Sequence, residues 1–225
     1  MLSIIVPCLN EADGIANALA ALAPLRARGA EVIVVDGGSG DGTEQRAAPH
    51  ADCVIGAPRG RASQMNAGAA RARGEILLFL HADTRLPDSA DTLIIDGLKR
   101  SRRGWGRFDV VITGRNPLLR VVAWLMNARS RLTGIATGDQ AIFTTRSLFT
   151  AAGGYPEIAL MEDIALCKQL KRFGPPLCLR HRLIASGRRW EKHGVVRTIL
   201  LMWRLRLAYW LGADPGKLAM RYDRG

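Results

Sequence analysis

Residues 75–84 read Glu-Ile-Leu-Leu-Phe-Leu-His-Ala-Asp-Thr, a run of five apolar residues that stops abruptly on His81 and Asp83. A continuous apolar run, as opposed to an alternating one, fits a strand covered on both faces, as in a parallel sheet flanked by helices. Ligands of open α/β sheets bind just outside the carboxyl ends of the strands, so His81, Ala82 and Asp83 are the first candidates for chemistry. Asp83 is a hard oxygen ligand suited to Mg²⁺ or Mn²⁺, and a metal held there would in turn hold a diphosphate. The competing reading makes Asp83 or Thr84 only the cap of a helix starting near Pro87.

The same pattern precedes this stretch. A first strand is expected near residues 2–6, followed by polar Asn10 and Glu11 and an Ala/Leu-rich helix over 13–28 that Gly29 ends. Residues 31–36 form a second buried strand that finishes on Asp36, and residues 53–56 a third. Gly60 and Arg61 then open an Ala/Arg helix carrying Asn66 and Gly68. Strand and helix alternate four times, which predicts one α/β domain with a mostly parallel, Rossmann-like sheet in three layers. Later elements are a helix over 88–102, a strand over 104–112, a helix over 117–132, a strand over 141–144 and a helix from Met161. Arg120, Asn127 and Arg131 fall on one helical face, the usual pattern of a solvated surface.

The glycine-rich loop from Gly37 to Gly42 does not fit a dinucleotide fingerprint. Gly38 and Gly40 are followed by Thr43 where a third glycine is required, and the loop follows the second strand instead of the first. It is not a nucleophile elbow either, because Asp41 stands where that motif needs glycine. A plain turn is one reading. The other is a ligand loop, in which Asp36 and Asp41 offer acceptors to ribose hydroxyls and base N–H groups.

Charge divides the chain of 225 residues. Residues 1–96 carry 8 Lys/Arg and 12 Asp/Glu, whereas residues 97–132 carry 9 and 1 and residues 180–225 carry 11 and 3, for a net charge of +12. Two basic stretches after an acidic first half suit an anionic ligand or surface. They argue against a nucleic-acid-binding protein, since the basic stretches lack interleaved aromatics. The four cysteines have no Cys-x-x-Cys spacing and read as thiols in a reducing cytoplasm. No signal peptide and no run of the ~20 apolar residues that spans a bilayer is apparent. Residues 195–211 are apolar except for Arg197, Arg204, Arg206 and a few small or polar residues. They are expected to pack on the domain, on a second copy in a homodimer, or peripherally against an anionic membrane at its inner face.

Taken in register, Ile5-Val-Pro7-Cys-Leu-Asn10-Glu11, Val35-Asp36-Gly-Gly38-Ser39-Gly-Asp41-Gly-Thr43, Gly60-Arg61 with Asn66-x-Gly68, His81-Ala82-Asp83, Gly153-Gly154 with Glu162-Asp163, and Arg189-Trp190 resemble inverting glycosyltransferases of family 2, with the GT-A fold. Within that family the chain resembles a small bacterial subgroup labelled as arsenosugar-biosynthesis glycosyltransferases, through His-Ala-Asp-Thr, Gly138-Asp139-Gln140 and Arg-Arg-Trp-Glu-Lys-His-Gly. The resemblance implies a GT-A domain over 1–194, with a nucleotide-binding half to about 96 and an acceptor half beyond it, and a C-terminal helix and tail over 195–225. It implies that Pro7, Asn10, Glu11, Asp36, Gly38, Ser39, Asp41, Arg61, Asn66, His81, Ala82 and Asp83 contact a nucleotide-sugar donor, with a UDP-sugar favoured. Asp83 would hold Mn(II) or Mg(II), and His81 and His193 are further candidate ligands. Asp163 would be the general base, with Glu162 beside it. Gly138, Asp139, Gln140, Arg189 and Trp190 would meet the diphosphate and a small-molecule or lipid-linked acceptor.

Two positions depart from the family pattern: His81 replaces the first metal-site aspartate and Ser186 the glutamine before Arg-Trp. The departure at His81 keeps a second class open, a sugar-nucleotide-binding protein without transfer activity.

Overall fold

The computed structural model describes residues 1–224, with side chains to Tyr222; Gly225, the end of the expected tail, lies outside the described residues. The elements run β1 (Leu2–Cys8), α1 (Ile15–Ala20), α2 (Ala23–Ala27), β2 (Glu31–Asp36), α3 (Thr43–Ala47), β3 (Cys53–Gly56), α4 (Arg61–Arg71), β4 (Ile76–Phe79), β5 (Thr84–Arg85), α5 (Ala90–Ser101) and β6 (Trp105–Ile112). They continue α6 (Leu118–Thr133), β7 (Phe143–Thr145), α7 (Arg146–Ala151), α8 (Glu162–Leu170), β8 (Leu177–Ala185), α9 (Arg188–His193), α10 (Val195–Trp210) and α11 (Pro215–Arg224).

Among the described residues the strands form one sheet of eight, in the order β3-β2-β1-β4-β7-β6-β8-β5. The first four positions are parallel, with Cys8 opposite Asp36 and Asp36 opposite Gly56, so β1, β2, β3 and β4 all end at one edge. β7 is antiparallel to both β4 and β6, β6 and β8 are parallel, and β5 closes the far side antiparallel to β8. The sheet is therefore mostly parallel, as the alternation of elements requires.

Alternating side chains of the same strands feed two separate cores. Ile4, Val6, Val32, Val34, Leu78 and Leu80 face α1 and α2, where Ile15, Leu19 and Leu25 cover them. Ile5, Ile33, Val35, Leu77 and Phe79 face α4 and α8, against Met65, Ala69, Leu166 and Leu170. Burial on both faces explains why these strands read as unbroken apolar runs. Gly68 lets α4 approach closely, since a Cβ there would lie 2.4 Å from Ile5 Cγ2. A third cluster, with Met161, Ile164, Leu205 and Leu218, fixes α10 and α11 against α8.

Two local expectations fail for identifiable reasons. The single helix over 13–28 is two short ones, because Pro24 has no N–H to bond a carbonyl one turn back and instead occupies the first turn of α2. The supposedly solvated stripe on α6 is split. Arg120 is exposed, but Asn127 is buried, and its amide donates to Val110 O at 3.0 Å and accepts from Val110 N at 2.9 Å. Arg131 is ion-paired with Asp109, which also binds the fully buried Arg107.

Candidate functional site

The parallel strand ends converge on two loops that bind each other. Asn10, in a left-handed conformation, donates its N–H to Ser39 Oγ at 2.8 Å and accepts the Gly40 N–H on its side chain at 3.1 Å. Glu11 N–H donates to Thr43 Oγ1 at 2.9 Å, and Asp41 accepts from Ala12 N at 3.1 Å and from Thr43 N at 3.0 Å. Asp36 is turned into its own loop. It accepts from the N–H groups of Gly38 and Ser39 at 2.9 and 2.7 Å, from Ser39 Oγ, and weakly from the Cys8 thiol. Burial works against its charge, but these donors hold its carboxyl below the usual aspartate range. The loop is thus pre-shaped, with Gly38 at φ +89° supplying its left-handed turn.

Facing these loops is a residue of α9 that the sequence reading passed over. Arg188 Nη2 lies 3.3 Å from Glu11 Oε2 and 3.5 Å from Asp83 Oδ2, so one guanidinium bridges the ends of β1 and β4. Burial opposes its charge and is outweighed by Glu11 and Asp83. Arg189, the expected partner of a diphosphate, points elsewhere: its guanidinium stacks 3.6 Å from the Tyr222 ring centroid and donates to Tyr222 O at 2.8 Å. Trp190 packs half-buried against the core. Only the phase of a six-residue helix separates the two arginines, and sequence gives that phase poorly.

On the other side of the strand ends lies the turn Gly138–Gln140, between α6 and β7 in the chain and in contact with both His81 and Asp163. His81 Nδ1 lies 3.3 Å from Asp139 Oδ1, and the other edge of its ring rests on Gly138, where a Cβ would fall 2.3 Å from Nε2. Gly138 N–H donates to Asp163 Oδ2 at 2.8 Å, while Asp163 Oδ1 accepts from Ile164 N at 2.7 Å. Asp163 is half-buried and Glu162 buried. Burial raises both carboxyls above their ordinary values, and each is a neighbour of further negative charge: Asp163 beside Glu162, Asp139 beside Asp163. Arg61, at the start of α4, is exposed but surrounded, and Glu162, Asp139 and Asp163 overcome the burial that opposes its charge. Met161, immediately before the acids, has φ +70°, an unusual conformation for a side chain of its size and of a kind concentrated at functional sites.

Several residues expected at the ligand are instead hydrogen-bonded within the protein. Gln140 is fully buried and donates to Ser130 Oγ at 3.0 Å and Asn127 Oδ1 at 3.3 Å, which removes it from an acceptor contact. Asn66 uses its whole amide on Tyr155, donating to its carbonyl at 2.8 Å and accepting its N–H at 2.9 Å. It holds the turn after Gly154 in place instead of facing a ligand. Gln64, not anticipated, donates to the carbonyls of Cys8 and Val35 at 2.8 Å and so closes the ends of β1 and β2. Pro7 and Ala82 line the strand ends half-buried. The cysteines are free, and burial pushes Cys8 and Cys167 up to about 12, so neither is a ready thiolate.

Among the described residues no three His, Cys, Asp or Glu side chains converge as a metal cage, and His193 at the end of α9 joins none. Asp83 is the accessible carboxylate at the end of β4, with a side chain 35% exposed. One carboxylate plus substrate phosphates is a usual arrangement for Mg²⁺ or Mn²⁺, so the donor set fits a metal brought or completed by a diphosphate and not one caged by protein. His81 faces Asp139 and Gly138, so Asp83 is the carboxylate that could hold a cation here. A hollow lined by Glu75, Ile76, Lys99, Arg103 and Arg146 sits at the opposite, amino end of β4, without convergent carboxylates.

The fold and site define an α/β protein whose parallel strand ends bring acidic and arginine side chains together. Residues 3–145 match the model of Glycosyl transferase family 2, and the chain belongs to that family. Searching curated protein sequences gives no match. Among solved structures, the chain is similar to S. aureus TarS 1-349 in complex with UDP-GlcNAc, at 18% identity and TM-score 0.67 over 82% of this chain and 58% of that one. It is similar to the mannosyltransferase PcManGT from Pyrobaculum calidifontis in complex with GDP-Man and Mn²⁺, at 25% identity and TM-score 0.65 over 92% and 60%. It also resembles glucosyl-3-phosphoglycerate synthase from Mycobacterium tuberculosis, crystallised with Mn²⁺, UDP and glucosyl-3-phosphoglycerate, at 21% identity and TM-score 0.60 over 82% and 70%. The chain spans about 60% of the TarS fragment's length. No helix among the described residues is long and apolar enough to cross a membrane.

Proposed function

We propose that the chain transfers a sugar from a nucleotide sugar to an acceptor hydroxyl with inversion at the anomeric carbon, and that Asp163 is the base. The observation that carries this reading is the placement of Asp163. Its carboxylate is anchored by the Gly138 N–H, raised by burial, and set at the same sheet edge as the Glu11–Arg188–Asp83 bridge. A base whose pKa is raised toward the working pH is better matched to removing a hydroxyl proton.

In this reading the acceptor oxygen forms a bond to the anomeric carbon as the bond from that carbon to the diphosphate oxygen breaks. The acceptor proton passes to Asp163, and the nucleoside diphosphate leaves with the electron pair. Arg188 offers the departing diphosphate a charge-assisted hydrogen bond. Glu11, released from Arg188, and the pre-shaped 37–43 loop hold the nucleoside. A divalent cation at Asp83 would neutralise charge on the leaving group. Buried Glu162 and the exposed Arg61 set the electrostatics around Asp163.

TarS and the mycobacterial synthase carry UDP ligands and PcManGT carries GDP-Man, which supports a nucleotide sugar and favours uracil without requiring it. Thermal-shift screening of UDP- and GDP-sugars, with and without Mn²⁺, tests the donor: binding at ~100 times Kd adds ~2.7 kcal/mol of stability. A chain that no nucleotide sugar stabilises is not a transferase of this kind. One that is stabilised but never turns over is a binding protein.

A further inference from the structure

The two basic stretches of the sequence each contain a helix that leaves a broad apolar face uncovered. On α10, Val196, Leu200, Trp203, Leu207, Trp210 and Leu211 are exposed, Trp203 to 63% and Trp210 to 76%. At about 100° per residue these six occupy an arc of roughly 100°. Arg197 and Arg204 lie along one border of that arc and Arg206 along the other. On α6, Leu118, Val121, Trp124, Leu125 and Leu132 are exposed, Trp124 to 65%, with Arg120 on the border beside Trp124. α9 ties the two helices together. Glu191 accepts the Arg115 N–H at 2.9 Å just before α6, Gly187 abuts Leu119, and α10 begins two residues after α9 ends. The inner faces of both helices, through Leu119, Val122, Val195 and Ile199, pack into one core.

We infer that the exposed faces of α6 and α10 lie together in the interface of an anionic lipid bilayer. Tryptophan and leucine on an apolar arc, bordered by arginines whose stems can run along the apolar surface while the heads reach phosphate, is the chemistry of a helix lying in a membrane plane. A second copy of the chain fits less well. Neither α6 nor α10 contains an acidic residue, so a symmetric contact would set arginine borders against arginine borders with nothing to pair them. Anionic headgroups complement the same borders. None of the exposed residues of this surface is among those proposed to bind the donor or carry the transfer, so the inference does not depend on the transfer chemistry.

The test is sedimentation of the full chain with vesicles of phosphatidylglycerol and phosphatidylcholine against phosphatidylcholine alone. Binding is expected to the mixed vesicles, with a blue shift of tryptophan emission, and to fall about tenfold on neutral vesicles or in high salt. Trp203→Glu with Trp210→Glu, and separately Arg197→Gln with Arg204→Gln, should each weaken it by about tenfold while leaving the circular dichroism unchanged. The arginine pair is exposed and keeps the test decisive if the tryptophan variant misfolds. Absence of vesicle binding overturns the inference, as does binding that both variants retain. A dimer in analytical ultracentrifugation that Trp203→Glu dissociates assigns the face to a second copy instead.

Discussion

The backbone N–H of Gly138 donates to the carboxylate of Asp163 at 2.8 Å, so the turn that supports His81 also aims the proposed base. Burial raises the Asp163 carboxyl above the usual aspartate value, and the acid limb of kcat is therefore expected above that value. Asp163→Asn should leave nucleotide-sugar affinity near that of the parent and lower kcat by ~10² to 10⁴. Single-turnover transfer with donor affinity in parallel checks this. Full activity in Asp163→Asn with a dead Glu162→Gln moves the base to Glu162.

The same shift has a sign in stability. A carboxyl whose folded pKa is raised binds its proton more tightly in the native than in the unfolded state, so stability falls as pH rises from the unfolded to the folded pKa. Above the folded pKa the full cost persists. Glu162, buried and raised by burial and Asp163, carries such a cost at neutral pH. Glu162→Gln should therefore raise Tm at pH 7, and the gain should vanish well below the unfolded glutamate pKa, where Glu162 is protonated in both states. A Tm that drops at pH 7 would show that the attraction of the nearby Arg61 charge outweighs burial.

Arg188 and Arg189 separate binding from packing. If Arg188 grips the diphosphate, Arg188→Ala loses a charged hydrogen bond worth ~1.5 to 3 kcal/mol, or about 10- to 150-fold in nucleoside diphosphate affinity, with little change in Tm. Arg189→Ala should instead lower stability by ~0.5 to 1 kcal/mol through loss of its stack on Tyr222, leaving nucleotide affinity unaltered. Titration calorimetry and thermal melts on both variants give the comparison, and reversed outcomes would return the diphosphate to Arg189.

What the sequence made legible was whatever leaves a pattern. Apolar runs buried on both faces marked β1, β2 and β4, and a carboxylate closing each of β2 and β4 marked the edge where the site lies. Single polar residues left no such trace. Asn66 and Gln140 look in sequence like residues free to meet a ligand and Asn127 like part of a solvated face, and each is instead spent on neighbouring protein groups. A buried amide bonded to backbone has the same spelling as one facing a ligand. Arg188 was missed because adjacent helical positions differ by about 100° of rotation, and α9 is too short for periodicity to fix its phase. The strain at Met161 had no sequence signal beyond lying before two acids.

Asp36 illustrates how the structure alters an expectation. From its position at a strand end its removal should spare the fold, yet its carboxylate collects the Gly38 and Ser39 amides and the Ser39 hydroxyl. Asp36→Ala should cost ~1 to 3 kcal/mol by leaving those donors without a partner, and weaken nucleotide binding only through the disordered loop. Its folded pKa is lowered, so this stability is present above the unfolded aspartate pKa and lost as pH falls through the folded one. Urea melts at pH 7 and at acid pH check both. An unchanged melt with weaker nucleotide affinity would restore Asp36 as a direct ligand.

The final prediction concerns Gly138, whose φ is ordinary and whose need for glycine is purely spatial. A Cβ there would lie 2.3 Å from His81 Nε2, well inside any contact a methyl group tolerates. Gly138→Ala must therefore push the imidazole away from Asp139 or move the turn, and either shift displaces the N–H that holds Asp163. Overpacking of this kind costs about 1 to 3 kcal/mol, and a base misplaced by about 1 Å loses ~10² in rate. His81→Ala removes the ring that the methyl would strike, so the double variant Gly138→Ala with His81→Ala should recover most of the lost stability and more activity than Gly138→Ala alone. A double-mutant cycle in Tm and in single-turnover rate reads this coupling directly. Strict additivity of the two changes would show that His81 does not restrict this position, and that the glycine serves the turn for some other reason.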